Sequence, residues 1–238
     1  DSLMDEVVFN GKSSKEYGVV IATANVLSSP KKSFTVQTVP GRNGDVCISN
    51  NRYENVTISY DVHIRKNFQQ NLSGLISWIG SAEDYARLED SVRPDFFRLA
   101  FCELNNTVKL LRMYSAGSFT IKFDCKPQLF LKSGESEITI TADRTIYNPT
   151  QEPSKPMMRV YGNGQIEIGV HTLVVSGNEN NYIDIDCDAQ DAYRNSENCN
   201  SLIALASDSF PTLASGKNGI VLGTGISKLQ LTPRWWTL

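Results

Sequence analysis

Histidine is scarce, cysteine is odd in number and no long apolar run occurs, and each shortage removes a class of function. Two histidines among 238 residues, His63 and His171, leave little material for a hydrolase or a metal centre. Each falls on the polar register of an expected strand with no motif around it, so a solvent-facing structural role outweighs catalysis. No G-x-S-x-G elbow, H-E-x-x-H pair or Walker loop occurs. The five cysteines, Cys47, Cys102, Cys125, Cys187 and Cys199, lack C-x-x-C spacing and neighbouring histidines, which disfavours a disulfide framework or a zinc site. Cys125 and Cys187 fall on apolar strand registers and read as small buried hydrophobes, in keeping with synthesis in a reducing bacterial cytoplasm. No stretch approaches the roughly 18 apolar residues of a membrane span, and no secretion signal is visible, so a soluble chain without membrane partners is expected. Asp1-Ser2-Leu3 ahead of Met4 fits a cloning remnant, which would make Met4 the native start. The formal charge of −3, without a run of one sign, argues against sequence-specific nucleic-acid binding.

What is present is alternation. Val56, Ile58, Tyr60, Val62 and Ile64 alternate with Thr57, Ser59, Asp61 and His63, as a strand with one wet face requires. Phe119, Ile121, Phe123 and Cys125 repeat the pattern, and shorter alternations occur at Phe34-Val36, Ile138-Ile140, Ile166-Ile168-Val170, Ile183-Ile185-Cys187 and Leu229-Leu231. The fold class is therefore mainly β, dominated by antiparallel strands. One helix is expected, because Leu72, Leu75, Ile76 and Ile79 follow i, i+3, i+4, i+7 spacing, with Asn67 as N-cap and Gly80 as stop. It is expected to pack across a sheet of a first, β-rich domain.

Length permits two domains. Three prolines and no periodicity between Tyr147 and Pro156 suit an inter-domain crossing. Beyond it, strands separated by Gly162-Asn163-Gly164, read as a hairpin turn, and by Ser176-Gly177-Asn178 fit a β-sandwich of about 80–90 residues. The division adopted is 1–135 and 136–238.

Some motifs invite chemistry and fall short of it. Asp184, Asp186 and Asp188 could begin a calcium loop, but Ala189 stands where glycine is needed and Asn195 where a bidentate glutamate is, so a solvated acidic face is expected. Asn55-Val56-Thr57, Asn71-Leu72-Ser73 and Asn105-Asn106-Thr107 match glycosylation acceptors by chance. Glu83-Asp84 and Glu89-Asp90 lie beside Arg87 and Arg93, where ion pairing accounts for them better than glycosidase chemistry does. No catalytic residue, cofactor site or metal site is expected.

Three segments instead have the composition of contact surfaces. Pro40-Gly41-Arg42-Asn43-Gly44-Asp45 should form a tight projecting loop tipped by a guanidinium. Arg52-Tyr53-Glu54 and the run Tyr85, Ala86, Arg87, Leu88, Glu89, Asp90 set an aromatic beside opposite charges, a mixture suited to interfaces. The candidate subunit-interface residues are therefore Arg42, Asn43, Asp45, Arg52, Tyr53, Glu54, Tyr85, Arg87, Glu89 and Asp90, with ordinary solvated surface as the alternative.

These segments occur in a recognisable order: Phe9-Asn10-Gly11, the Pro40–Asp45 loop, Arg52-Tyr53-Glu54-Asn55, Ser77-Trp78-Ile79, Tyr85–Asp90, Asp95-Phe96-Phe97-Arg98 and Phe123-Asp124-Cys125-Lys126-Pro127. Tyr147-Asn148-Pro149-Thr150, Val160-Tyr161-Gly162-Asn163-Gly164, Ile183-Asp184-Ile185-Asp186, Phe210-Pro211 with Gly216-Lys217-Asn218, and Pro233-Arg234-Trp235 follow. In this order the chain resembles the distal tail (Dit) proteins of long-tailed bacteriophages. The resemblance implies a ring-forming N-terminal domain that assembles as a homo-hexamer around a channel. It also implies an outward galectin-like or carbohydrate-module-like C-terminal sandwich, with the last residues able to return to the first domain. It implies as partners the major tail tube protein, the tail-associated tip protein and, in larger relatives, receptor-binding proteins. The place would be the virion tail tip, assembled in the host bacterial cytoplasm, and the role structural and non-enzymatic.

The second reading is a carbohydrate-binding module for host-surface attachment, resting on the sandwich-like half and on Tyr161, Tyr182 and Tyr193. Trp235 and Trp236, at the end of the sequence, read as packing anchors before they read as a sugar platform. A β-sandwich hydrolase is the weakest reading, because no nucleophile-base pair can be assembled.

Overall fold

Val56–Ile64 sets the frame of the first half: Val56, Ile58, Tyr60, Val62 and Ile64 are all buried, and the polar residues between them face out or lie half-exposed. A computed structural model describes residues 6–64, 67–102, 109–110, 117–178, 182–207 and 209–238. Met4 and the Asn105-Asn106-Thr107 triplet lie outside them. The chain is mainly β and divides into two compact units, one running through Leu129 and including Leu238, the other Phe130–Thr237.

In the first unit, one sheet runs in the order Lys12–Ser13, Val7–Phe9, Ala86–Asp90, Phe96–Cys102, Gly117–Cys125, Val56–Ile64, Val19–Asn25. Asn10 and Gly11, both at positive φ, close the two-residue hairpin between the first two strands, as an Asn-Gly turn favours. Phe123 sits opposite both Ile58 and Cys102, so the sheet centre is apolar on its core face.

The helix Phe68–Ile79 covers that face with Phe68, Leu75, Trp78 and Ile79, and Leu72 packs at its margin. Trp78 stacks on Tyr17 at 5.1 Å, meets the edge of Phe9 at 6.5 Å, and donates its indole N–H to the Phe9 carbonyl at 2.9 Å. The indole is thus both packed and satisfied. Two details differ from the sequence expectation. Ile76 is 45% exposed, on the outer side of the helix. Asn67 occupies the N-cap position in a left-handed conformation and makes no side-chain cap bond.

The second unit is a sandwich of two antiparallel sheets sharing one core. One sheet is ordered Ile138–Ile140, Ile226–Thr232, Met157–Gly162, Tyr182–Asp186, Asp191–Arg194, Glu197–Asn198; the other is Arg144–Asn148, Gly216–Leu222, Gly164–Ile168, His171–Val175, Ile203–Leu205. Gly162-Asn163-Gly164 is not a hairpin turn. The strands on either side of it belong to different sheets, and the segment carries the chain from one to the other. A Cβ on Gly162, at φ +96°, would lie 2.1 Å from the Gly225 carbonyl, so only glycine lets the two backbones pass. Asn178, fully buried, pins this crossing: its amide donates to the carbonyls of Val160 and Gly162, and its backbone N–H to Asn163 Oδ1 at 2.7 Å.

The proline-rich stretch after Asn148 lies inside this unit. The buried Asn148 amide donates to the Glu152 and Leu213 carbonyls, and Ser154 donates to the Pro233 carbonyl at 2.7 Å. Trp235 is buried in the sandwich core and Trp236 donates to the Pro153 carbonyl at 3.0 Å, so both act as anchors of this unit. Val170, aligned with Ile168 in the sequence pattern, is instead 92% exposed at a turn.

Candidate functional site

The sequence Lys32–Gln37, a loop, and Val46–Tyr53 forms a two-stranded sheet of its own, paired to no third strand among the described residues. Val36 faces Cys47 and Phe34 faces Ser49, so these four share one face; Thr35 faces Ile48 on the other. Both faces are wet. Phe34 is 47%, Val36 61% and Ile48 51% exposed, and Val39 in the loop is exposed as well. Alternation alone signals a strand here and assigns Phe34 and Val36 to one face, but it does not say whether anything covers that face. This is the feature that sequence reasoning missed.

The expected loop stands at the tip of this arm. Arg42, Asn43 and Asp45 are all exposed, with Gly41 and Gly44 at positive φ supplying the reversals. The Arg42 N–H donates to the Val39 carbonyl at 3.2 Å, and Thr38 donates to Asp45 Oδ1 at 2.9 Å, which fixes the loop from within and leaves the guanidinium outside. Arg52, Tyr53 and Glu54 lie at the base of the arm, where the Glu54 N–H donates to the Lys31 carbonyl.

The third segment is in the main sheet. Arg87 and Glu89, two apart on the strand Ala86–Asp90, form an ion pair, and the Arg87 guanidinium also lies 3.9 Å above the Phe97 ring. Tyr85 packs edge-on against Phe101 with the Lys126 ammonium 4.8 Å over its ring. The Asn55 amide, beside Glu54, reaches Tyr85 Oη and Asp124 Oδ1, both at 2.6 Å, and so brings the base of the arm and the start of this strand together. Asp90 turns inward: Tyr60 donates to it at 3.1 Å, as do the N–H groups of Val92 and Arg93. Burial, then the Asp90 charge, pushes the Tyr60 phenol well above its ordinary range, so it stays a neutral donor. The ten candidates thus form a set on the arm, exposed at Arg42, Asn43, Asp45 and Arg52 and half-buried at Tyr53 and Glu54, and a set engaged within the sheet.

In the second unit the three tyrosines of the sequence reading share one outer face. Tyr161 lies opposite Tyr182 with ring centroids 6.1 Å apart, and Tyr193 lies opposite Asp184. Arg159 forks onto Asp184 at 2.6 and 2.8 Å and stacks on Tyr182 at 4.1 Å. Asp186 is held by Arg234 and Asp188 by Lys155; Asp184 and Asp186 are thus withdrawn from solvent into ion pairs, while Asp188 keeps the solvated position expected of the row. His171 also departs from its expected register: it aligns with buried Leu173 and Val175, and its Nε2 lies 3.0 Å from Thr212 Oγ1.

No protein-family model matches the sequence, and no curated protein does. Among solved structures, the chain is similar to the Dit protein of phage SPP1, described as a paradigm of the hub adsorption apparatus in phages infecting Gram-positive hosts. That match has a TM-score of 0.76 at 12% identity and covers 98% of this chain and 99% of that one. It is also similar to chains of the phage p2 baseplate in its activated conformation. With calcium the TM-score is 0.52 at 11% identity over 96% of each chain; with strontium it is 0.50 at 10% identity over 96% and 97%. At these identities the likeness establishes the fold, which is that of phage Dit and baseplate hub proteins over 96–98% of the chain.

Proposed function

We propose that this chain is a structural distal tail protein of a long-tailed phage or prophage, six copies of which close by heterologous contacts into a baseplate hub between the tail tube and the tail-tip proteins. The observation that carries the reading is the arm Lys32–Gln37/Val46–Tyr53, a two-stranded sheet with apolar side chains exposed on both faces. A lone hairpin is at best marginally stable in water, and exposed apolar side chains gathered on one element mark a contact surface. A neighbouring copy that covers Phe34, Val36 and Ile48 would remove them from water and bring the Arg42 tip against an acidic group. Full-length likeness to the SPP1 Dit fold supports the same reading. Its location would be the virion tail tip.

The test is the mass and symmetry of the purified protein, by light scattering and negative-stain imaging, alone and mixed with its tail tube protein. Six-fold rings are expected. A strict monomer at high concentration under both conditions would overturn the reading.

The second reading, sugar binding by the sandwich, is favoured by the Tyr161, Tyr182 and Tyr193 face. Glycan-array binding that is lost on substituting these tyrosines would establish it. The pairing of Arg159 with both Asp184 and Tyr182 weighs against it, because those polar groups are already engaged.

A further inference from the structure

The arm and the helix have the same surface chemistry. In a chain that is 21% charged, residues 33–41 and 46–51, the shaft of the arm, contain no charged side chain, and neither do residues 67–82, which hold the helix Phe68–Ile79. A surface helix ordinarily keeps charge on its wet side, and loss of charge from exposed positions marks the centre of an interface. On the helix the wet side is Gln69, Ser73, Ile76 and Ser77, spaced i, i+4, i+7, i+8, which is one stripe along the axis with Ile76 exposed within it. On the arm, one face holds Phe34, Val36, Cys47 and Ser49. Ile76, Phe34 and Val36 are all exposed within one copy, so the arm does not cover its own helix.

Charge appears only at the ends, and there it is complementary. The last helical turn has no basic residue to meet the negative end of the helix dipole. Glu83 and Asp84 follow it, both exposed and in no ion pair among the described residues. The Tyr85 N–H donates to Asp84 Oδ1 at 2.6 Å and so holds that carboxylate in place. The arm carries the exposed Arg42 at its tip. The lengths also agree: the six residues Lys32–Gln37 span about 20 Å and the twelve-residue helix about 18 Å. Arg42 lies five residues beyond that strand and Glu83 four beyond the helix, so an arm laid along the helix brings the guanidinium to the acidic pair.

We propose that the stripe Gln69, Ser73, Ile76, Ser77 of one copy is the seat for the arm of the next copy, with the Phe34 and Val36 face down and Arg42 on the carboxylates of Glu83 and Asp84. This rests on the ring reading above and names the surface that the arm covers. Arm meets helix and not arm, so every copy gives one arm and receives one, as a closed heterologous ring requires.

Cys47, free and exposed on the Phe34 face, supplies the test. Light scattering of full-length Ser73→Cys and Ser77→Cys, with tail tube protein where closure needs it, reports whether rings form. Copper-phenanthroline oxidation and a non-reducing gel then report the contact. A ladder of covalent multiples is expected from at least one of the two variants and is lost when Cys47→Ser is added. Thr57→Cys, on the sheet face away from the helix, should give no ladder. Arg42→Glu should raise the protein concentration at which rings form by at least about tenfold, and Glu83→Lys with Asp84→Lys in the same chain should recover assembly. Rings in which neither helix cysteine reaches Cys47, or in which the charge reversal gives no recovery, would overturn this seat and leave the hub reading standing. Absence of rings from the unsubstituted protein under both conditions would overturn the two together.

Discussion

Arg234 forks onto Asp186 with bonds of 2.7 and 3.0 Å, and so ties the closing Pro-Arg-Trp segment to the strand Tyr182–Asp186. Burial opposes ionisation of Asp186, but the Arg234 hydrogen bonds, together with the N–H groups of Ala189 and Asp188, outweigh it and hold the carboxyl below the usual aspartate range. A depressed carboxylate stabilises the fold above its unfolded pKa, and that stability is lost as pH falls through the folded value. Stability of the second unit should therefore be constant near neutrality and decline below about pH 4. Asp186→Asn should flatten part of that decline and cost about 1–3 kcal/mol at pH 7. Chemical denaturation at several pH values, followed by tryptophan fluorescence, checks both.

On the arm, Phe34→Asp and Val36→Asp should leave monomer stability within about 0.5 kcal/mol, because both side chains are already wet. Both should abolish or strongly weaken ring formation. Analytical ultracentrifugation beside thermal melts separates the two effects.

Arg42 and Glu89, both read from the sequence as interface residues, should behave differently. Arg42 is exposed at the loop tip, so Arg42→Ala is expected to affect assembly alone. Glu89 is partly buried against Arg87, so Glu89→Ala is expected to lower monomer stability by about 0.5–1.5 kcal/mol as well. Equal melting of the two variants would remove this distinction.

Gly162→Ala should be severe. The positive φ and the 2.1 Å approach to the Gly225 carbonyl add strain to a clash with backbone, which has little freedom to give. A loss of at least about 2 kcal/mol is expected, read by urea titration of the full chain.

Trp78→Phe keeps most of the apolar packing but removes the indole donor to the Phe9 carbonyl, and should cost about 1–3 kcal/mol. Trp78→Ala should cost about 3–5 kcal/mol. The spacing between the two values measures how much of this residue's contribution is hydrogen bond and how much is volume.

The parts of the fold that were legible in the sequence are those in which one face is wet and the other dry. Val56–Ile64 and Gly117–Cys125 alternate cleanly because each packs one face on the helix and core. The helix was legible for the same reason, although Ile76 shows that the apolar stripe reports an average direction and not each residue. The change of sheet at Gly162 was not legible, since a glycine-rich turn looks the same whether the next strand pairs with its predecessor or leaves for another sheet. The pairing of Asp184 with Arg159 and of Asp186 with Arg234 was equally hidden, because the partners are 25 and 48 residues away. In the candidate site, the reversals at Gly41 and Gly44 and the Arg87–Glu89 adjacency follow from local spacing. The exposure of Phe34 and Val36 does not, because period two records which side chains share a face and nothing about what lies over it.

The edge strand Ile138–Ile140 pairs with Ile226–Thr232, so nearly the first and nearly the last strand of the second unit are neighbours. During translation the six-stranded sheet must wait for residue 232 to leave the ribosome before its edge can close. The seven strands of the first sheet's main path, by contrast, are complete by Cys125. Those seven strands are free to pair while the second unit is still being made, and the nascent sandwich spends that interval with unpaired strand edges exposed, the stage at which a chaperone or a slower codon run would have most effect on yield.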